Sequence, residues 1–230
     1  VLLDVFGTLL ALESPIPALR ALLDERLGVV VSEDQAATAL AAEVAFYRAH
    51  MHLGRDGESL AELHRRCAEV LRARLPGEPR LISASDEAIT AVLVDSLRFR
   101  VYPDAPETLA RLRAAGLRLV VVSNWDASLE QVLGRVGLRT ALDGVVSSAV
   151  VGAAKPDRIP FERGLALAGF SAGEAVHVGD SETEDVAGAL AAGITPVLLR
   201  RGSRPPRSDR GGRDAATITS LAELPPLLGL

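Results

Sequence analysis

The chain is short of the residues that anchor, cross-link or span. Its single cysteine, Cys67, excludes a disulfide framework within the chain, and a reducing, intracellular setting is expected. No run of about 18 apolar residues occurs and no signal-peptide pattern opens the sequence, so a soluble cytoplasmic protein is expected. A formal net charge of −5 removes any global electrostatic case for a nucleic-acid or membrane partner. The first residue is Val1, not methionine, and only three residues precede Asp4; the first strand is expected to have lost its beginning. Lysine is nearly absent. Of 25 basic residues, Lys155 is the one lysine, which points to a place where a compact charge serves and a planar guanidinium does not.

What is present is ample apolar material, 48% of 230 residues, enough for one large domain or a domain with a sizeable insertion. Short, nearly continuous apolar runs at 1–3, 117–122, 144–147, 175–178, 196–199 and 216–219 read as strands buried on both faces. Helical patterns lie between them, for example at 105–115 with Gly116 in the C-cap position. The alternation predicts an α/β fold, a Rossmann-like parallel sheet with helices on both faces.

Residues 14–97 break that rhythm. They read as four helices, with 29–31 the one candidate strand, Ser32 and Asp34 a candidate N-cap region, and Ser59 or Gly57 opening a later helix. This predicts an α/β core of residues 1–13 and 98–230, carrying an inserted all-helical cap at 14–97 above the carboxyl end of the sheet. The Arg-, Pro- and Gly-rich stretch at 200–214 reads as a solvated mobile loop rather than a nucleic-acid site, because no aromatics are interleaved.

Polar residues cluster where the strands end. Asp4 follows the first, with Phe6-Gly7-Thr8 behind it; Ser123-Asn124 follow the second; Lys155-Pro156 comes after the third; Asp180 follows the fourth, with Asp185 five residues on. Each alone is ordinary, since caps and turns use the same residue types. Their shared position at one sheet edge is the informative feature.

In this order the residues resemble the four motifs of the haloacid dehalogenase superfamily of hydrolases, and the helical insertion resembles that of its C1-capped subfamily I. The motifs are Asp4-Val5-Phe6-Gly7-Thr8-Leu9, Ser123-Asn124, Lys155-Pro156, and Gly179-Asp180-Ser181 with Asp185. The resemblance implies that Asp4 is a covalent nucleophile. It implies that Ser123 and the Gly7-Thr8 turn meet a bound phosphoryl group, that Lys155 neutralises charge, and that Asn124 and Trp125 lie toward substrate. It further implies a Mg²⁺ ion held by Asp4, the Phe6 carbonyl, Asp180 and Asp185, the last in a more distant shell or through water.

The resemblance divides at Phe6. Phosphatases of the superfamily carry a second aspartate there, which protonates the leaving oxygen; the haloacid dehalogenases carry an aromatic, because a halide leaves without a proton. Asp180 argues the other way, since the dehalogenases lack an acid directly after the glycine. The favoured expectation is a Mg²⁺-dependent phosphatase acting on a small phosphorylated metabolite. The alternatives are a 2-haloacid dehalogenase and a catalytically degenerate member that binds a phosphorylated ligand or a protein. Within the insertion, Phe46, Tyr47, Arg48, His50 and His52 form the densest polar-aromatic cluster. Arg48 is its candidate substrate contact, against a reading of the cluster as a packed Phe46 with a solvated face. His177, inside a strand, reads as a buried, hydrogen-bonded histidine, and Trp125 as either a pocket wall or core.

Overall fold

The computed structural model describes residues 1–202 and 215–230, so residues 203–214 of the stretch read as a solvated loop lie outside the described residues. The chain divides into two compact units, Val1–Ala11 with Arg100–Leu230, and Leu12–Phe99.

Eight strands are present among the described residues: β1 (Leu2–Leu3), β2 (Leu10–Leu12), β3 (Phe99–Val101), β4 (Val120–Ser123), β5 (Gly144–Ser147), β6 (Val176–Gly179), β7 (Thr195–Leu199) and β8 (Ala216–Ile218). Six of them form one sheet in the order β5-β4-β1-β6-β7-β8, every pairing parallel, while β2 and β3 pair separately. The run at 117–122 enters the ladder only at Val120, where Leu2 of β1 and Gly144 of β5 provide partners. Leu2, Leu3 and Val120 to Val122 are at most 1% exposed, which is why these segments read as uninterrupted apolar runs. Phe161, from the helix Arg158–Ala168, packs with Leu2, Val120, Val122 and Val146 on one side of the sheet.

The topology positions chemistry. From β1 the chain fills one side of the sheet with β4 and β5, then returns to the other side of β1 with β6, β7 and β8. The strand order therefore reverses at β1, and open α/β sheets bind ligands at the carboxyl ends beside such a reversal.

The second unit is helical: α1 (Pro15–Leu27), α2 (Glu33–His50), α3 (Gly57–Arg74), α4 (Pro79–Ser83) and α5 (Asp86–Ser96), with a single 3₁₀ turn at Met51–Leu53. Five helices replace the expected four, because Pro79 starts a separate short one after the chain leaves α3. Residues 29–31 are not a strand. Val29 and Val31 are buried and Val30 is exposed, a strand-like alternation, but Gly28 in the left-handed region ends α1 and Ser32 caps α2. The Ser32 hydroxyl takes the Gln35 N–H and the Gln35 side chain returns to the Ser32 N–H. The N-cap of α3 is Asp56, with Ser59 completing its capping box. A core of Leu19, Leu23, Leu40, Leu63, Leu71 and Leu93 holds the helices together. No described helix is long and apolar enough to cross a membrane.

One acid lies in this helical core. Glu43 of α2 is 3% exposed, and burial pushes its carboxyl up to about 7 although a hydrogen bond with Cys67 opposes the shift. A raised carboxyl binds its proton more tightly in the folded state. Its stabilising contribution is therefore complete at low pH, starts to fall as pH rises past the ordinary glutamate value, and is lost above about 7. The shift corresponds to an upper limit of about 3 kcal/mol. A Glu43→Gln variant is expected to melt higher than the parent at pH 8 and to lose most of that advantage at pH 4.5. An advantage independent of pH would refute the assignment.

Candidate active site at the strand reversal

Three strand ends meet here. Asp4 leaves β1 with its N–H on the Val178 carbonyl of β6, 2.9 Å away. The Ser123 hydroxyl, at the end of β4, donates to Asp4 Oδ1 at 2.9 Å. Lys155 Nζ donates to the same Asp4 oxygen at 2.7 Å and to Asp185 Oδ1 at 2.5 Å. The lone lysine is 4% exposed and sits between two acids, a geometry for a point charge with rotatable donors.

Asp185 is tightly satisfied. His177 Nε2 lies 2.8 Å from Oδ1, and the Ser181 N–H donates to Oδ2 at 3.0 Å. Burial alone would raise the Asp185 carboxyl, but Lys155 and His177 outweigh it and hold it well below the usual range. An ionised carboxylate accepts only, so His177 carries its proton on Nε2. Burial keeps that imidazole below its ordinary value, and its ring meets Phe161 edge-on at 4.9 Å. The buried, hydrogen-bonded role expected for His177 is thus observed; its partner is the acid that also holds Lys155.

Two glycines allow this crowding. A Cβ on Gly7 would stand 2.1 Å from Asp180 Oδ2, and Gly7 has φ of +81°, so a side chain there is excluded twice. A Cβ on Gly179 would stand 2.1 Å from the Asp185 carboxyl carbon, which folds back over the end of β6.

Asp4, Asp180 and Asp185 each offer a carboxylate oxygen, all within 4.8 Å of one another. Partial burial, reinforced by Asp4 and Asp185, pushes the Asp180 carboxyl up to about 6. Burial likewise raises Asp4, more than Lys155 lowers it. Three acids against one ammonium leave the cluster short of positive charge. Hard oxygen donors in this number fit a divalent cation such as Mg²⁺.

Other expected residues are placed differently. Asn124 uses both ends of its amide on the Lys155 main chain: Nδ2 donates to the carbonyl at 3.0 Å, and Oδ1 accepts the N–H at 2.8 Å. Nδ2 also reaches Glu184 at 3.0 Å. Asn124 thus braces the main chain of the lysine. Trp125 is 8% exposed with its indole N–H on the Ser128 hydroxyl. Thr8 is fully buried, and its hydroxyl has no hydrogen-bond partner among the described residues. The Phe6 side chain is 44% exposed. Arg48 is an exposed residue of α2. In the same helix Phe46 is partly buried, stacks on His50 at 4.1 Å and lies under the Arg66 guanidinium, as a packed aromatic does. The extra acids near Asp185 are partly answered, Glu182 by Arg200 and Glu184 by Asn124.

Comparison with known proteins follows the same lines. A sequence model described as a hydrolase, haloacid dehalogenase-like hydrolase, matches residues 1–193. The chain is 41% identical over 101 residues to haloacid dehalogenase-like hydrolase domain-containing protein 3 of Homo sapiens, covering 44% of this chain and only 40% of that relative. It is 31% identical over 196 residues to the ribulose-1,5-bisphosphate 5-phosphatase of Halopiger xanaduensis, covering 80% of this chain and 81% of that protein. Among solved structures, the 2-haloacid dehalogenase of Pseudomonas syringae pv. Tomato DC3000 superposes with a TM-score of 0.68 at 26% identity, covering 99% of this chain and 96% of that one.

Proposed function

The chain belongs to the haloacid dehalogenase-like hydrolase family, and from that premise we propose that it is a Mg²⁺-dependent phosphatase of a small phosphorylated metabolite. The observation that supports this most is the trio of Asp4, Asp180 and Asp185, with the first and last paired to one lysine. Such a site favours a cation and, with it, a phosphoryl group over a small carboxylate substrate. A relative bearing a phosphatase name over most of both chains lends further support.

In this reading the Asp4 carboxylate attacks phosphorus, the bond from phosphorus to the leaving oxygen breaks, and water later clears the aspartyl phosphate. Ser123 and Lys155 hold Asp4 Oδ1 and so fix the carboxylate's direction. Lys155 and His177 keep Asp185 ionised and the Ser181 N–H helps hold it in place, while Asp4 and Asp185 together keep Lys155 charged. Asn124 fixes the lysine's main chain. Mg²⁺ would be held by Asp4 and Asp180, with the Phe6 carbonyl as the resemblance implies and Asp185 farther out or through water, and would supply charge against the phosphoryl oxygens. The helical unit Leu12–Phe99 is read as the inserted cap.

A second reading, 2-haloacid dehalogenation, is favoured by one residue, Phe6, and by a dehalogenase among the structural neighbours. One assay series separates the two. Phosphomonoester hydrolysis lost in EDTA and regained with Mg²⁺ is expected. Equal rates in EDTA would sink the metal-dependent account, and chloride release from 2-chloropropionate without metal would install the second reading.

A further inference from the structure

We infer that Arg201 is a positioning residue for the nucleophile loop, a role that rests on the phosphatase reading for its kinetic consequence but not for its geometry. The loop after β1 is tight: the N–H groups of Thr8, Leu9 and Leu10 all converge on the Val5 carbonyl, and Gly7 N–H reaches the Leu10 carbonyl at 2.8 Å. That folding turns the Thr8 carbonyl away from the loop's own donors. Arg201 Nη2 takes it at 2.7 Å, across 193 residues of sequence. A buried carbonyl needs some donor; here the donor is held rigidly from several sides.

Asp104 receives the guanidinium through both oxygens, at 2.9 and 3.0 Å. The Tyr102 ring lies 3.7 Å from the guanidinium carbon. Ser220 and the Leu221 N–H fix Asp104 in turn, at 2.6 and 2.8 Å. The main chain is anchored too, since the neighbouring Arg200 donates its N–H to Ile218 of β8 at 2.8 Å, while its side chain pairs with Glu182. Thus Arg200 and Arg201, just beyond β7, bind respectively the acidic turn that carries Asp185 and the loop that carries Gly7 and Thr8. Arg201 touches no reacting atom; it sets where the loop behind Asp4 lies. A planar fork is required because one side chain must satisfy a bidentate acid and a carbonyl together.

The test compares Arg201→Ala with Ser220→Ala. Both remove a partner of Asp104, but only the first removes the Thr8 contact. Arg201→Ala is expected to lower kcat for p-nitrophenyl phosphate by about 10–100-fold with KM little changed. It is also expected to speed amide hydrogen exchange in the peptide spanning Asp4 to Leu10. Ser220→Ala is expected to do neither, and Arg201→Lys to restore less than half of the lost protection. Unchanged exchange at that peptide in Arg201→Ala, or equal effects in Ser220→Ala, overturns the inference. If the parent turns over no phosphomonoester, the phosphatase reading fails, and the exchange comparison still decides the role of Arg201.

Discussion

A Phe6→Asp variant is expected to raise phosphomonoester turnover by about 10²–10⁴-fold, the usual worth of a general acid and base. When the bond from phosphorus to an alkyl ester oxygen breaks, an alkoxide leaves unless something protonates it, and the side chain two residues after the nucleophile has no proton to give. The gain should be largest for alkyl phosphates and small for p-nitrophenyl phosphate, whose phenolate already leaves readily. Folding should survive the change, because the Phe6 side chain is 44% exposed and outside the buried core. A new acid would add to three already close, so the variant should also bind Mg²⁺ more tightly and reach half-maximal activity at a lower Mg²⁺ concentration than the parent. The measurement is kcat on paired alkyl and aryl substrates, in parent and variant, across a Mg²⁺ series. No gain in the variant, together with halide release by the parent, would decide for the dehalogenase reading.

Asp4→Asn is expected to reduce turnover by about 10⁴-fold or more, as loss of a covalent nucleophile does. The amide keeps the shape of the carboxylate, and its oxygen can still accept from Ser123, while Lys155 retains Asp185 as its ionic partner. A stability loss therefore should not account for the result, and thermal melting in EDTA should fall by no more than a few degrees. Mass spectrometry of enzyme quenched during turnover should find the phosphoryl group on the peptide carrying Asp4 in the parent and on none in the variant. Retention of a tenth of parent activity would remove Asp4 from the role of nucleophile.

The elements most legible in the sequence were those whose residues answer to burial. β1, β4, β5, β6 and β7 are apolar runs because both faces of the sheet are covered, and their polar ends mark where each emerges. The candidate site was legible for a related reason: Asp4, Ser123 and Asp180 sit at strand ends, and a parallel sheet carries all its strand ends of one polarity to one edge; Lys155 comes later, in the connection after β5. The helical unit was less so. Val29 and Val31 alternate as a strand would, yet Gly28 and the Ser32 cap turn them into a bridge between helices, and α4 is too short to show a helical period.

What the amino-acid order determined by itself, then, is an α/β core of the haloacid dehalogenase-like hydrolase family with an acid, Asp4, after its first strand, one lysine, Lys155, and an aromatic at Phe6. Tertiary structure decided the partners: His177 under Asp185, Asn124 on the Lys155 main chain, Arg201 on the Thr8 carbonyl, and Trp125 in the core. These contacts join residues 8 to 193 positions apart. Their side chains carry no local pattern, because periodicity records which face of an element is buried, whereas a hydrogen-bond partner across the sheet depends on how the elements are folded together.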